Sequence, residues 1–493
     1  MSITHESASD SSPPSMGDKE KDLGGVRLEA VQTGGHVVDA VELERNFSFL
    51  STLGLAFSLL NSWTAIAEIC HVFPLSGGQY DFVYCTAPPR FRVGLSFFTG
   101  WMACAGWTTL LGAGCSLGSS FFTALISFWH PDYEPATWHV FMFYVAVIVG
   151  QFLLNVFGVR ALPHLDRFGA FWSIAGIVTI IVTLLACSSG RYQSAKDVFG
   201  TLTNLTGWPD GMAFILGLLQ STLGFTAFDA ASHMVEEMPN PSRNAPLVMI
   251  LAVAMGAVTS WIFMVVLLFC LADFDAVIAA ANGPLLEIYY QSTRSMVGST
   301  CLMMFNLTAM MICVGAAGTV SSRMIMSFSR DRGFGHVSRF LSPVHARLKV
   351  PVYCLVFCGG WGIVFGLLYL GSSVAFNAIL AVAILLLQIS YITPIIIVFI
   401  RGEKAFAGHS RTYSLGRWRR VVNGLAIAFA VMTSVIFVFP PAIPVTSGSS
   451  MNYAIVAFAV VLIMCGVTWL VDGRKNFTGP RDLEERLQMG KNA

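Results

Sequence analysis

Two stretches of this sequence place polar side chains inside long apolar runs, where they could bind a ligand or an ion. The stretch at 57–64 is Phe-Ser-Leu-Leu-Asn-Ser-Trp-Thr, and the stretch at 220–229 is Gln-Ser-Thr-Leu-Gly-Phe-Thr-Ala-Phe-Asp. An acidic side chain at membrane depth, such as Asp229, is costly and marks a functional site by default. Polar or glycine-interrupted stretches are tolerated in a span only where they line a cavity or pack on protein. We therefore predict two broken helices, whose free amide and carbonyl groups can bind a carboxylate and a cation.

Each stretch also has an interpretation that involves no ligand. Serine, asparagine and threonine side chains hydrogen-bond between helices in membranes, which would account for the first stretch. Asp229 could instead lie near the membrane interface and cap a half-helix. The acids of the turn that follows, Glu236 and Glu237, are predicted to pair with Arg243 or with other arginines at the same membrane face.

The composition of the chain requires a membrane. Of 493 residues, 55% are hydrophobic and 12% are charged, against roughly 25% charged in a soluble domain. A globular core cannot hide that much apolar surface, so lipid must cover it. The net charge of +1 gives no field that would attract nucleic acid. The cysteines lack metal-type spacing, and the sequence has no phosphate-binding loop or Ser-His-Asp arrangement, so we predict no enzyme activity, metal or cofactor.

Long apolar segments and the charges between them predict the topology. A span needs roughly 20 mostly apolar residues. Eleven segments meet this requirement: 53–72, 94–126, 138–158, 168–187, 211–234, 247–271, 297–320, 351–370, 374–400, 420–439 and 452–471. Lysine and arginine accumulate in cytoplasmic loops, and basic loops alternate with poorly basic ones from Arg90 onward. This alternation predicts a cytoplasmic C-terminal tail and an external loop at 188–210.

The same features divide the chain into three parts. Residues 1–48 are polar and rich in Ser, Gly, Asp and Glu, which predicts a disordered cytoplasmic tail. Residues 49–472 form the predicted transmembrane domain, and 473–493 form the cytoplasmic C-terminal tail. The segment 53–72 does not fit, because a single crossing would put the N-terminal tail outside. We expect this segment to be a poorly anchored element rather than an ordinary span.

A series of short motifs extends from about residue 45 to residue 480. In chain order they are Gly54-Leu55-Ala56-Phe57-Ser58, Asn61-Ser62-Trp63, Ala67-Glu68-Ile69-Cys70, Pro74, Gly77-Gly78-Gln79-Tyr80, Thr99-Gly100-Trp101, Gly106-Trp107, Phe228-Asp229-Ala230-Ala231, Glu236-Glu237, Asn240-Pro241, Ser322-Arg323-Met324, Ser329-Arg330-Asp331-Arg332-Gly333, Asn452-Tyr453 and the run 473–480. On these residues the chain resembles the amino acid–polyamine–organocation (APC) superfamily, and within it the fungal amino acid/choline permease branch.

The resemblance implies both a fold and a function. The implied fold is a twelve-span helical bundle whose first ten helices form two inverted five-helix repeats, with substrate held between the broken first and sixth helices. The implied function is secondary active transport of a small amino acid or related amine, such as GABA, choline or a polyamine, by proton symport across the plasma membrane. Carried over by position, the substrate-binding residues are Ser58, Asn61, Ser62, Trp63, Gly224, Phe225, Phe228 and Asp229.

The substrate class stays open at this stage. For a zwitterion, the amides near Ser58 and Gly224 would hold the carboxylate, while Asp229 or an aromatic ring faces the amine. Choline has no carboxylate and would rely on aromatic faces such as Trp63, Phe225, Phe228 and Trp107. The sequence offers both kinds of group.

The chain departs from the family pattern after Trp63. Here Thr64-Ala65 is followed directly by Ile66-Ala67-Glu68, where the family has the rest of helix one, an outside loop and the start of helix two. Roughly one span of chain is absent, which explains eleven segments in place of twelve. The alternative hypothesis is therefore a non-transporting membrane sensor or relic, or a mis-spliced permease that lacks a complete substrate site.

Overall fold

The computed structural model describes residues 28–33, 36–41, 62–371, 373–409, 413–445 and 451–492. The chain divides into two units, residues 1–52 and residues 53–493. In the first unit, strand β1 (Leu28–Thr33) pairs antiparallel with β2 (His36–Val41). The structure differs here from the disordered tail predicted for 1–48. Two glycines separate the strands in the sequence, and two-residue glycine connections favour tight hairpins; the rest of the tail lies outside the described residues.

The second unit is helical throughout its described part. Its α-helices are α1 (Ser62–Val72), α2 (Gln79–Thr86), α3 (Arg92–Trp129), α4 (Thr137–Phe157), α5 (Leu162–Cys187), α6 (Ala195–Gly200), α7 (Asp210–Gly224), α8 (Ala230–His233), α9 (Pro241–Cys270), α10 (Phe274–Ala279), α11 (Pro284–Thr293), α12 (Met296–Arg330), α13 (Ser338–Leu341), α14 (Val352–Gly371), α15 (Ser373–Arg401), α16 (Arg419–Ile436), α17 (Ala454–Thr468), α18 (Arg474–Asn476) and α19 (Leu483–Asn492). Short 3-10 turns lie at Val235–Glu237, Gly335–Val337, Gly402–Phe406 and Gly416–Trp418, and a π-turn lies at Trp469–Gly473.

Eight helical segments within the described residues are long and apolar enough to cross a membrane. They are α3, α4, α5, α9, α12, Ala381–Phe406, Gly416–Ile436 and Ala454–Asn476. The other predicted segments are the broken stretch at α7 and α8, the helix α14 with its shorter apolar part Val352–Leu368, and 53–72, which is described from residue 62. The predicted multi-span helical bundle is thus confirmed.

The stretch 220–229 is broken, as its sequence predicts. Helix α7 ends at Gly224 and α8 begins at Ala230. Between them Ala227 has a φ of 73°, a conformation that is uncommon for a residue with a side chain and that marks functional sites. The Thr226 hydroxyl donates to the Thr222 carbonyl at 2.7 Å, an interaction that competes with regular helix geometry.

Helix α3 is the central element of the bundle. Its 38 residues correspond to a length of about 57 Å, and it packs along α12 and α15. A Cβ atom on Gly106 would lie 2.7 Å from Leu387 Cγ, so the glycine allows α3 and α15 to approach closely. This close packing brings the neighbouring Trp107 towards the broken helix.

The described part of the segment 53–72 is anchored, contrary to our expectation. Helix α1 packs against α9, α15 and α16, and Ile66 and Ile69 are fully buried. Glu68 accepts hydrogen bonds from Arg419 at 2.6 and 2.9 Å. Since the Arg419 side chain is itself buried, this charge pair compensates the carboxylate that made the segment unfavourable.

Candidate functional site at the broken helix

The Asp229 carboxylate is the centre of a buried polar cluster. Its Oδ2 atom accepts hydrogen bonds from Gln79 Nε2 at 2.7 Å and from Trp107 Nε1 at 3.2 Å. Its Oδ1 atom accepts from the Tyr391 hydroxyl at 2.7 Å, and His233 Nε2 lies 3.0 Å from Oδ2. Asp229 and His233 are both fully buried. Four partners from α2, α3, α8 and α15 therefore meet on one carboxylate.

Tyr391 also fixes the backbone of the break. Its hydroxyl oxygen accepts a hydrogen bond from the Ala227 amide at 3.3 Å while the hydroxyl proton goes to Asp229. An amide inside the bundle costs free energy if it has no partner, so this contact helps to hold Ala227 in its left-handed conformation. The Tyr391 ring lies 4.8 Å from the Phe228 ring, centroid to centroid.

The His233 ring packs directly against the backbone of Gly78. Its φ is 61°, and a Cβ atom at this position would lie 2.6 Å from His233 Cε1. Only glycine combines this backbone conformation with the absence of a side chain. The Gly-Gly-Gln-Tyr motif thus contributes two residues to the cluster. Gly78 leaves space for the His233 ring, and Gln79 donates a hydrogen bond to Asp229.

A small cavity adjoins the break on the side of α15 and α16. Its volume is about 30 Å³, room for no more than two or three water molecules at ~10–15 Å³ each. It is lined by Thr222, Phe225, Thr226, Phe228, Gln388, Tyr391, Ile392, Ala426, Phe429 and Ala430. This volume is too small for a substrate of amino-acid size, so within the described residues the cavity is closed to such a substrate.

Four of the eight predicted site residues come together at the break. Gly224 ends α7, and Phe225 and Phe228 line the cavity. Asp229 lies behind the cavity wall, with Tyr391 between them. Of the other four, Ser58 and Asn61 lie outside the described residues, and Ser62 and Trp63 begin α1 with their side chains outside the described part.

Sequence analysis missed several partners of Asp229. Tyr391 lies in a polar group, Gln388-Ile-Ser390-Tyr391, inside an otherwise apolar run, and such a group at membrane depth signals a site. His233 follows Asp229 by four residues, the spacing that places two side chains on one helix face. Trp107 was considered as an aromatic face for choline, but its ring is buried and its N–H is committed to Asp229.

The acidic turn after α8 pairs with arginines, as predicted. Glu236 lies 3.1 Å from Arg330, and Glu237 lies 3.0 Å from Arg323. The Ser76 hydroxyl also donates to Glu236 at 2.6 Å. Burial raises the pKa of Glu236, but the Ser76 hydrogen bond and the Arg330 charge outweigh this effect and hold the pKa below its usual value. The carboxylate therefore stays ionised and keeps the turn paired.

A second buried carboxylate attaches the C-terminal segment to the same end of the bundle. Asp331 accepts a hydrogen bond from the Tyr80 hydroxyl at 2.7 Å and pairs with Arg486 at 3.1 Å. Burial lowers the pKa of Arg486, but the charges of Asp331 and its neighbours raise it overall. We call this end, which carries Arg330, Arg419 and Arg486, the basic end.

Comparison with known proteins identifies the family. Residues 30–463 match the family described as amino acid permease. The chain belongs to the amino acid permease family. This family lies in the APC superfamily, so the resemblance found in the motifs is confirmed, and the match includes the broken helix and all four partners of Asp229.

Individual relatives of this permease carry transport names. The chain is 30% identical to a choline transporter of Saccharomyces cerevisiae over 89% of this chain and 83% of that protein. It is 31% identical to a 7-keto 8-aminopelargonic acid transporter of the same yeast over 69% of this chain and 64% of that protein. It is 28% identical to an amino-acid permease of Arabidopsis thaliana over 87% of this chain and 86% of that protein. These names denote transporters rather than enzymes or sensors, so the relic hypothesis is not favoured.

Proposed function

We propose that this permease is a secondary active transporter that moves a small amino acid or related amine across the plasma membrane. The observation that carries the proposal is the broken helix 220–229, whose two aromatic residues line a cavity at its break. Free backbone groups at a helix break bind charged substrate groups in this class of fold. The choline transporter and amino-acid permeases among the relatives support this substrate range.

The cavity favours recognition of the amine through aromatic faces. Phe225, Phe228 and Tyr391 surround it, whereas the oxygens of Asp229 are occupied by protein donors. A cation over an aromatic ring gains about 0.5–2 kcal/mol. We infer that the substrate ammonium lies against these rings. The amides of Phe225, Thr226 and Ala227 donate to Thr222, Leu223 and Tyr391, so the amides that were predicted to hold a substrate carboxylate near Gly224 are occupied in this conformation.

We further propose proton symport and a defined orientation. The basic end would face the cytoplasm, because lysine and arginine accumulate on that side, and the C-terminal tail would be cytoplasmic with it. The closed cavity is one stage of a transport cycle in which the helices on its two sides separate in turn. Proton entry would supply the driving force for accumulation of the substrate.

Uptake measurements in a permease-deficient host test this function. The full chain is expected to take up labelled choline, GABA or an amino acid above the empty-vector background. Phe225→Ala should raise KM for that substrate by about 2- to 30-fold, the equivalent of about 0.5–2 kcal/mol of lost cation–π energy.

The matched control is Phe171→Ala. Phe171 lies on α5 with 69% of its surface exposed, away from the cavity, and its removal should leave KM unchanged. If Phe225→Ala and Phe171→Ala change KM equally, the cavity is not part of the substrate site. No uptake of any member of the panel by a correctly inserted chain would contradict the proposed function itself.

A further inference from the structure

The His233 ring has hydrogen-bond acceptors at both nitrogen atoms. Its Nδ1 lies 3.1 Å from the carbonyl oxygen of Ser76, and its Nε2 lies 3.0 Å from Asp229 Oδ2. A backbone carbonyl can only accept, so Nδ1 must carry a hydrogen. A neutral imidazole then has no hydrogen left for Nε2, and its lone pair would face a carboxylate oxygen.

The contact between Nε2 and Oδ2 therefore needs one more proton. Either His233 is an imidazolium and donates to an ionised Asp229, or a protonated Asp229 donates to a neutral His233. In both arrangements the pair holds one proton more than a neutral histidine beside an aspartate ion. The net charge of the pair is zero with this proton and negative without it.

The surroundings of the pair favour the neutral, proton-bound form in the closed conformation. Both side chains are fully buried, and a buried charge without a counter-charge costs several kcal/mol. Tyr391 from α15 and Cys70 from α1 are described titratable groups that face the pair. A hydroxyl and a thiol supply no positive charge, and neither do Gln79 and Trp107.

The pair also lies between the cavity and the basic end. On one side, Tyr391 lines the cavity and donates to Asp229. On the other side, Ser76 accepts from His233 through its carbonyl and donates to Glu236 through its hydroxyl. A proton held on the pair is thus one hydrogen-bonded residue from the cavity and one from the acidic turn.

We propose that the Asp229–His233 pair is the binding site of the transported proton. This inference rests on the proposed proton symport. One proton passes from water on the outer side to the pair and later to water at the basic end, with no other bond made or broken. Ser76 and Gln79 contact the pair from the start of α2 and the residues just before it, and Tyr391 contacts it from α15. When α2 and α15 separate, these contacts break and the pair can release the proton.

Proton entry into proteoliposomes tests the proposal directly. The purified full chain is reconstituted with a pH-sensitive dye inside the vesicles, and choline or GABA is added outside. The wild type is expected to acidify the lumen as substrate enters. Asp229→Asn should abolish acidification, because an amide in place of the carboxylate cannot take up and release the shared proton; His233→Gln should abolish it as well.

The control is Glu237→Gln, the same carboxylate-to-amide change in a half-exposed residue outside the pair. This variant should acidify the lumen like the wild type. If the wild type imports substrate without acidification, the symport proposal and this inference both fail. If Asp229→Asn and His233→Gln acidify the lumen as the wild type does, only the assignment to this pair fails.

Thermal unfolding gives a test that does not depend on transport. Loss of the shared proton at high pH leaves a buried negative charge, so the wild-type melting temperature should fall as pH rises through that loss. Asp229→Asn has no such charge, so its melting temperature should fall less than that of the wild type over the same pH range. Identical pH dependence of the two proteins would show that the pair binds no proton and would overturn the proposal.

Discussion

The Tyr391 hydroxyl makes two contacts that no phenylalanine could replace. It donates to Asp229 and accepts from the Ala227 amide, so it joins the carboxylate to the strained backbone beside it. Asp229 is fully buried and Ala227 is partly buried, so both contacts lie inside the bundle.

We predict that Tyr391→Phe destabilises the protein and lowers uptake. Loss of the hydroxyl removes one hydrogen-bond partner from the buried Asp229 carboxylate and one from the partly buried Ala227 amide, at a cost of about 1–3 kcal/mol. Tyr353→Phe, at a side chain that is 59% exposed on α14, is the matched control and should change neither quantity. Thermal unfolding in detergent and labelled-substrate uptake measure the two effects; a Tyr391→Phe protein as stable as the control would contradict the prediction.

Sequence reasoning located Asp229 but not its role. Its position at the end of a glycine-interrupted apolar stretch was enough to predict a site there. Its partners come from positions up to 162 residues away, and no local pattern specifies which of them will meet. The prediction that Asp229 faces the substrate amine stays untested, and the four protein partners now make the flanking aromatic residues the stronger candidates.

At the scale of single elements, the buried pair of Glu68 and Arg419 explains how α1 is held. A bidentate arginine–carboxylate contact is among the strongest in proteins, yet each charge is unfavourable in the bundle without the other. The amide of Leu415 adds a third hydrogen bond to Glu68, at 3.2 Å. The short helix thus depends on α16 for its position.

We predict that Arg419→Met destabilises the protein by about 3–5 kcal/mol, because it leaves the buried Glu68 carboxylate without the positive charge of Arg419. The double variant Glu68→Leu with Arg419→Met should recover most of this loss, since it removes both charges. Arg420→Met changes an exposed neighbour and serves as the control. The measurement is the melting temperature of the wild type, Arg419→Met, the double variant and Arg420→Met. If Arg419→Met is as stable as Arg420→Met, the Glu68–Arg419 pair does not stabilise the fold.

Elements were easier to predict than their irregularities. Apolar runs of roughly 20 residues identified the spans because lipid imposes that length. The position of the break in 220–229 followed from its polar and glycine residues. The hairpin at 28–41 was missed because its surrounding composition is polar, and the anchoring of α1 was missed because Arg419 is distant in sequence.

At the scale of the whole molecule, the orientation of the bundle is a prediction that labelling can test. We expect Thr203→Cys to react with a membrane-impermeant maleimide in intact cells, and Arg474→Cys to react only after permeabilisation. Both changes are made in a Cys187→Ser background, because Cys187 is exposed near the predicted outer loop. The opposite pattern of labelling would reverse the proposed orientation.

The Glu68–Arg419 contact also sets an order of events during biosynthesis. The two residues are 351 positions apart, so at about 5–20 residues per second the ribosome needs roughly 20 to 70 s to make the second after the first. Throughout that interval the Glu68 carboxylate of α1 lacks the Arg419 charge, so we expect α1 to stay at the translocon or the membrane surface until α16 is made. A defect at Arg419 should therefore appear in pulse-chase experiments as early degradation of the nascent permease rather than as slower turnover of the mature one.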